Sequence, residues 1–242
     1  LAPPVAIRSA RSRDRVEIMT RDALPAAVVW DLDGTVIDSE EYWIIAETEI
    51  VESFGGTWSH EDGLAVIGQG LSETALLMQE RGVQLSSEDI ISAMTSRVLE
   101  KMDEKMPWRP GAPELIRGLR AEGVPLAIAT MAYAEMAHRV ANAISGVSFS
   151  AIVAGDQVTH SKPDPEIYLL AAERLGVNPA DCVAIEDSPV GVTAASRAGL
   201  FTIGVPLFLS LDDSPANLLW PTLAGRTPQD IYDAFTQQRG RA

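Results

Sequence analysis

The chain has 242 residues, 34 acidic and 19 basic side chains, and a formal net charge of −15. A chain this long buries roughly 70% of its unfolded surface, enough for one large domain or a domain with an insertion and no covalent staples. The lone Cys182 excludes an intrachain disulfide and fits a reducing, cytoplasmic setting. No apolar run approaches about 18 residues, so no membrane span is expected. The negative charge argues against nucleic acid or an anionic membrane as partner.

Residues 1–24 read as a separate N-terminal tail. Arg8, Arg11, Arg13, Arg15 and Arg21 against Asp14 and Glu17 give residues 1–21 a charge of +3, leaving −15 − 3 = −18 on the remainder. The tail has no secretory hydrophobic core. From Ala26 the text alternates. Ala26–Trp30 is a short apolar, β-like run, and Pro125–Ala129, Ala151–Ala154, Cys182–Ile185 and Phe201–Gly204 are others. Helical segments lie between them. Pro113 opens one that Gly123 closes, Asp164-Pro165 opens one that Gly176 ends, and Ser188-Pro189 opens one that Gly199 ends. Strands alternating with such helices predict an α/β fold, a Rossmann-like parallel sheet with helices on both faces.

One stretch breaks the alternation. Between about Glu41 and Lys105 the patterns are helical: Trp43, Ala46, Ile50 and Phe54 recur at helical spacing. Ile91, Met94, Val98 and Met102 do so again, behind Ser86 and Ser87 as N-cap candidates. The expected organisation is a core of residues 25–40 and 108–242 interrupted by a helical domain, 41–107. Trp108-Arg109-Pro110-Gly111 reads as the return linker.

Acidic and polar residues gather at the strand ends. The first strand runs into Asp31-Leu32-Asp33-Gly34-Thr35. At a strand's C-terminal end the chain turns, so both carboxylates can reach one pocket, and Gly34 gives the turn its freedom. Two acids leaving a buried strand repel each other unless a cation or a proton lies between them. Thr130 ends the second strand, Lys162 follows the third, and Glu186-Asp187-Ser188 ends the fourth. Singly, these read as a turn hydroxyl, a surface lysine and acids at a helix start. In open α/β sheets, however, ligands bind beyond the carboxyl ends of the strands, and all four groups sit there.

The four motifs and their order resemble the haloacid dehalogenase superfamily over residues 26–204, and the helical insertion resembles the cap of the subfamily containing β-phosphoglucomutase and phosphoglycolate phosphatase. The resemblance implies that the first strand lies between the Thr130 and Asp187 strands. It implies that Asp31 is the nucleophile that forms an aspartyl-phosphate, and that Asp33 is the acid and then the base. Thr130 and Lys162 would hold the phosphoryl group. Mg²⁺ would be held by Asp31, the Asp33 carbonyl and Asp187, with Glu186 assisting directly or through water. Gly34 and Met131, together with Gly68, Gln69 and Ser72 of the loop Gly68-Gln69-Gly70-Leu71-Ser72, would contact substrate.

The implied activity is a Mg²⁺-dependent phosphatase acting on a small, sugar-like phosphomonoester. A phosphomutase of the β-phosphoglucomutase kind is the alternative, and a non-catalytic phosphometabolite or Mg²⁺ sensor is a third. The mutases carry an Arg in the loop and a His after the first motif, where this chain has Leu71 and Trp43; Arg81 and Arg97 are other cap cations. The expected partner is a small phosphorylated metabolite, with no nucleic acid and no membrane, and the expected state is a monomer. His60, His138 and His160 lack metal-ligand spacing, and Cys182 reads as an inert strand residue. Trp30, Trp43, Trp58, Trp108 and Trp220 read as core or hinge packing.

Overall fold

Ala27–Trp30 forms β1. It is a four-residue run buried along its whole length, with strands on both sides. The computed structural model describes residues 24–67 and 70–239. Parallel β2 (Leu126–Ala129) and β4 (Cys182–Glu186) flank β1, and β3 (Ala151–Val153), β5 (Phe201–Gly204) and β6 (Leu218–Leu219) complete a six-stranded sheet in the order β3-β2-β1-β4-β5-β6. The first five strands lie within a residue or two of the predicted runs. The sixth is two residues long and carries no periodicity to detect.

Alternation along each strand divides the side chains between two faces. Val28, Trp30, Leu126, Ile128, Val183 and Ile185 join a core with α5 (Ala112–Ala121), α6 (Ala134–Ala143) and α9 (Pro228–Arg239). Ala27, Val29, Ala127, Ala129 and Ala184 face α7 (Glu166–Leu175) and α8 (Pro189–Arg197). The sequence did not announce α6, whose N-cap is Tyr133 with no side-chain cap. No described helix is long and apolar enough to cross a membrane.

Glu40 to Glu104 is built of helices: α1 (Glu40–Ser53), α2 (His60–Val66), α3 (Leu71–Glu80) and α4 (Ser87–Glu104). Ile91, Met94, Val98 and Met102 are buried, and Ser86 caps α4 by accepting the Asp89 N–H at 3.1 Å. Trp43, Ala46 and Ile50 are buried as their spacing predicts, but Phe54 is 41% exposed, because α1 ends at Ser53 and the chain turns there. The two passes between insert and sheet run side by side. Asp38 N–H donates to the Pro107 carbonyl at 2.7 Å, and Arg109 N–H donates to the Val36 carbonyl at 3.0 Å.

Helix α8 starts behind Ser188, whose Oγ accepts the Gly191 N–H at 3.1 Å. A Cβ on Gly191 would run into the buried Glu186 carboxylate. Alanine normally improves a helix over glycine by about 1 kcal/mol. Here the collision outweighs that gain, so Gly191→Ala should lower the melting temperature by about 3 °C or more, measured by thermal unfolding.

Candidate active site

The strand order sets the site. β1 lies between β2 and β4, so the residues that leave these three strands converge at one end of the sheet. Asp31 continues β1, its N–H bonded to the Ile185 carbonyl at 3.0 Å. The chain then folds back over itself. The Leu32 carbonyl accepts the N–H groups of Val36 (2.8 Å) and Ile37 (3.1 Å), and the Gly34 N–H reaches the Ile37 carbonyl at 2.7 Å. Gly34 has φ +81°, and a Cβ there would strike the Asp187 carboxylate. Only glycine lets the first and fourth strand ends approach this closely.

Lys162, from the loop after β3, is 5% exposed and sits between two carboxylates. Its Nζ donates to Asp31 Oδ1 at 2.6 Å and to Glu186 Oε1 at 2.6 Å. The Tyr168 hydroxyl, from α7, donates to the same Glu186 oxygen at 2.6 Å. Glu186 Oε2 accepts the backbone N–H groups of Asp187 (3.1 Å) and Ser188 (3.3 Å) and the Ser188 hydroxyl (3.2 Å). Both oxygens of Glu186 are thus engaged. Burial works to lower the Lys162 ammonium, but Asp31 and Glu186 outweigh it and hold the pKa above the ordinary lysine range.

Asp33 has different company. Its Oδ1 accepts from the Ser39 hydroxyl (2.5 Å) and the Trp43 indole N–H (2.9 Å), and its Oδ2 accepts from the Thr130 hydroxyl (3.4 Å). Ser39 stands at the N-cap of α1 but makes no cap bond, since its hydroxyl is directed to Asp33. Burial pushes the Asp33 carboxyl up, opposed by these hydrogen bonds. Burial also pushes Asp31 up, to about 7, with Lys162 pulling it down and Glu186 and Asp33 adding to the rise. Asp187 rises well above the carboxylate range through burial and then the charges of Asp31 and Glu186. Its Oδ1 accepts from the Thr35 hydroxyl at 3.2 Å.

Carboxylate oxygens of Asp31, Glu186 and Asp187 lie within 4.8 Å of one another. Three buried acids share the single ammonium of Lys162, which bonds to two of them and not to Asp187. This excess of buried negative charge suits a hard divalent cation with oxygen ligands.

Asp31, Asp33, Thr130, Met131 and Lys162 line one cavity with Ser188, and the insert closes it with Glu40, Trp43, Glu47, Val66, Ile67, Leu71 and Thr74. Gly34 packs on Asp187 and is not part of this lining. Ser72 is exposed on α3 and outside the lining, where Leu71 and Thr74 stand in the place expected for it. The reason is helical phase: Leu71 and Thr74, three apart, face inward and Ser72 faces out. Gly68 and Gln69 lie outside the described residues. Arg81 and Arg97 pair with Asp62 and Glu49 and do not line the cavity. His160 is exposed, bonded to Glu166 at 2.9 Å. Tyr168, Ser39, Glu40 and Glu47 went unmarked in the sequence; nothing in their local pattern distinguishes them from core or surface residues. Trp43, read as packing, proves to be a hydrogen-bond donor to Asp33.

A family model for haloacid dehalogenase-like hydrolases matches residues 25–199. The chain belongs to this family. A phosphorylated carbohydrates phosphatase of Thermotoga maritima is 32% identical over 216 residues, covering 87% of this chain and 98% of that one. Hexitol phosphatase B of Escherichia coli is 30% identical over 184 residues, covering 74% and 83%. The crystal structure of CbbY from Rhodobacter sphaeroides in complex with phosphate superposes with a TM-score of 0.76 at 31% identity, covering 84% of this chain and 96% of that one.

The raised carboxyls have a consequence for stability. Asp31 and Glu47 both titrate at about 7 in the folded chain, against ordinary values of 3.8 and 4.5. Between those limits the folded state holds protons that the unfolded state has released, so stability falls as pH rises. In EDTA the protein should melt at a higher temperature at about pH 5.5 than at about pH 8, and Asp31→Asn should flatten that dependence. Thermal unfolding across this range checks both.

Proposed function

We propose that this hydrolase cleaves a small phosphomonoester through an aspartyl-phosphate, with Asp31 as nucleophile and Asp33 as acid and base. One observation carries the assignment: two carboxylates two residues apart have opposite surroundings. Asp31 is bonded to an ammonium, which favours the ionised form an attacking oxygen needs. Asp33 is bonded only to neutral donors, and two of them occupy Oδ1. Oδ2, which accepts only the Thr130 hydroxyl at 3.4 Å, is the less occupied oxygen and the one suited to carry a proton to the leaving group.

In the first step an oxygen of Asp31 bonds to phosphorus while the ester oxygen leaves and takes the proton of Asp33. In the second, Asp33 removes a proton from water, the hydroxide attacks the aspartyl-phosphate, and Asp31 and inorganic phosphate are released. Lys162 and Thr130, both lining the cavity, would hold the phosphoryl oxygens. Residues Asp31, Asp187 and the Asp33 carbonyl would hold Mg²⁺, which supplies positive charge to the transferring group. Glu186, with both oxygens engaged, supports this set by fixing Lys162 and the backbone of Asp187 and Ser188. The helices of residues 41–107 act as a cap over the site, and the substrate is a phosphorylated carbohydrate or polyol, in keeping with the named relatives.

Release of phosphate, not phosphomutase turnover, is the expected outcome. A mutase must seat a second phosphate on the far side of the cavity, and burying it without a cation would cost several kcal/mol. Leu71 and Trp43 occupy the positions compared with the mutase Arg and His, and Lys162 is the one cation of the described lining.

Asp31→Asn should reduce phosphate release by several orders of magnitude while leaving the fold intact, as judged by circular dichroism. EDTA should abolish turnover of p-nitrophenyl phosphate and added Mg²⁺ should restore it; full activity in metal-free buffer would remove the metal from the scheme. Given β-glucose 1-phosphate with catalytic glucose 1,6-bisphosphate, the enzyme should release phosphate faster than it forms glucose 6-phosphate. The reverse order would make it a mutase.

A further inference from the structure

The cap side of the cavity holds two carboxylates that the chemistry above leaves unused. Glu40 and Glu47 both belong to α1 and both line the cavity. They are 6% and 4% exposed. Among the described residues Glu40 accepts no hydrogen bond. Glu47 accepts one: the Trp58 indole N–H reaches its Oε2 at 3.0 Å, which fixes the carboxylate and leaves Oε1 without a described partner. Buried carboxylates are normally satisfied by donors or cations, and a lone acceptor oxygen beside a cavity calls for a donor from whatever fills it. The only cation of the described lining, Lys162, is bonded to Asp31 and Glu186 on the opposite side. Of the remaining insert residues at the cavity, Val66, Ile67 and Leu71 are apolar, the Trp43 indole N–H is taken by Asp33, and Thr74 adds a hydroxyl bonded to the Gly70 carbonyl at 3.4 Å.

We infer that Glu47, oriented by Trp58, is the residue that selects the leaving group. Its Oε1, without a partner among the described residues, accepts a hydroxyl of a neutral polyol or sugar alcohol. Above about pH 7, where Glu47 is ionised, its carboxylate repels a second phosphate or a carboxylate on that end of the substrate. The substrate class is therefore a monophosphate of an uncharged polyhydroxylated molecule, and above about pH 7 bisphosphates and phosphorylated acids are disfavoured by charge. This inference rests on the phosphatase reading for its site and refines it at the leaving-group end.

The test is Glu47→Gln, which keeps the shape and an acceptor for Trp58 but removes the charge. The readout is a ratio, kcat/KM for a hexitol phosphate such as sorbitol 6-phosphate over kcat/KM for phenyl phosphate, which has no hydroxyl to offer. Loss of a hydrogen bond to a charged acceptor should lower that ratio about tenfold or more. At about pH 8, where Glu47 is ionised in the wild type, the rate on fructose 1,6-bisphosphate relative to fructose 6-phosphate should rise in the same variant. A ratio unchanged within about twofold, with both esters slowed together, would mean that Glu47 only packs against Trp58 and would overturn the inference. If the wild type cleaves phenyl phosphate but not the hexitol phosphate, the inference falls and the phosphatase reading stands. If it cleaves neither, the phosphatase reading falls. Binding of sorbitol 6-phosphate to the wild type and to Glu47→Gln then decides the inference: tenfold weaker binding in the variant supports it, equal binding overturns it.

Discussion

The ammonium of Lys162, held 2.6 Å from Asp31 and 2.6 Å from Glu186, is the contact on which the rest of the site depends. Asp31, Glu186 and Asp187 leave adjacent strands into a space from which water is nearly excluded, and without a buried cation their mutual repulsion would oppose the sheet order that brings them together. The loop after β3 reaches across to supply that cation. Around it each remaining polar group has a defined role. Tyr168 and the backbone amides at the start of α8 saturate Glu186, and glycines at 34 and 191 leave room for the Asp187 and Glu186 carboxylates.

Asp33 belongs to a second network that ties the sheet to the helical insert. Its hydrogen bonds come from Ser39 and Trp43, at the start of the insert, and from Thr130, at the end of β2. The proposed acid–base residue is thus oriented by both parts of the chain. A change in the position of α1 would alter the donors on Asp33 and so its readiness to give up a proton. The passes at 36–38 and 107–109, bonded to each other, bring α1 to this position. In the proposed scheme the insert also supplies the polar groups at the leaving-group end, so the proposed acid–base step and the proposed selection both depend on α1.

The parallel sheet was legible from one dimension, and the resemblance to haloacid dehalogenase-like hydrolases carried the family and the central place of the first strand. Strand runs of four or five apolar residues, Pro-to-Gly helix punctuation and acids at the strand exits are local signals, each set by backbone chemistry within a few residues. Asp31, Asp33, Thr130 and Asp187 could be picked out because they fall at ends of recognisable strands, and Lys162 because it lies in the loop between the third strand and α7. Tertiary structure alone decided which donors each carboxylate receives: Trp43 on Asp33, Tyr168 on Glu186, Trp58 on Glu47. Those pairs are 10, 18 and 11 residues apart, and the helix phase and loop paths that join them leave no local pattern. The same cause moved the cavity lining from Ser72 to Leu71 and Thr74, and made cavity acids of Glu40 and Glu47, which the sequence presents as ordinary residues of a helix. Burial and hydrogen bonding depend on what packs from elsewhere in the chain, so the sequence could name the candidate reacting groups but not the surroundings that give each its charge and direction.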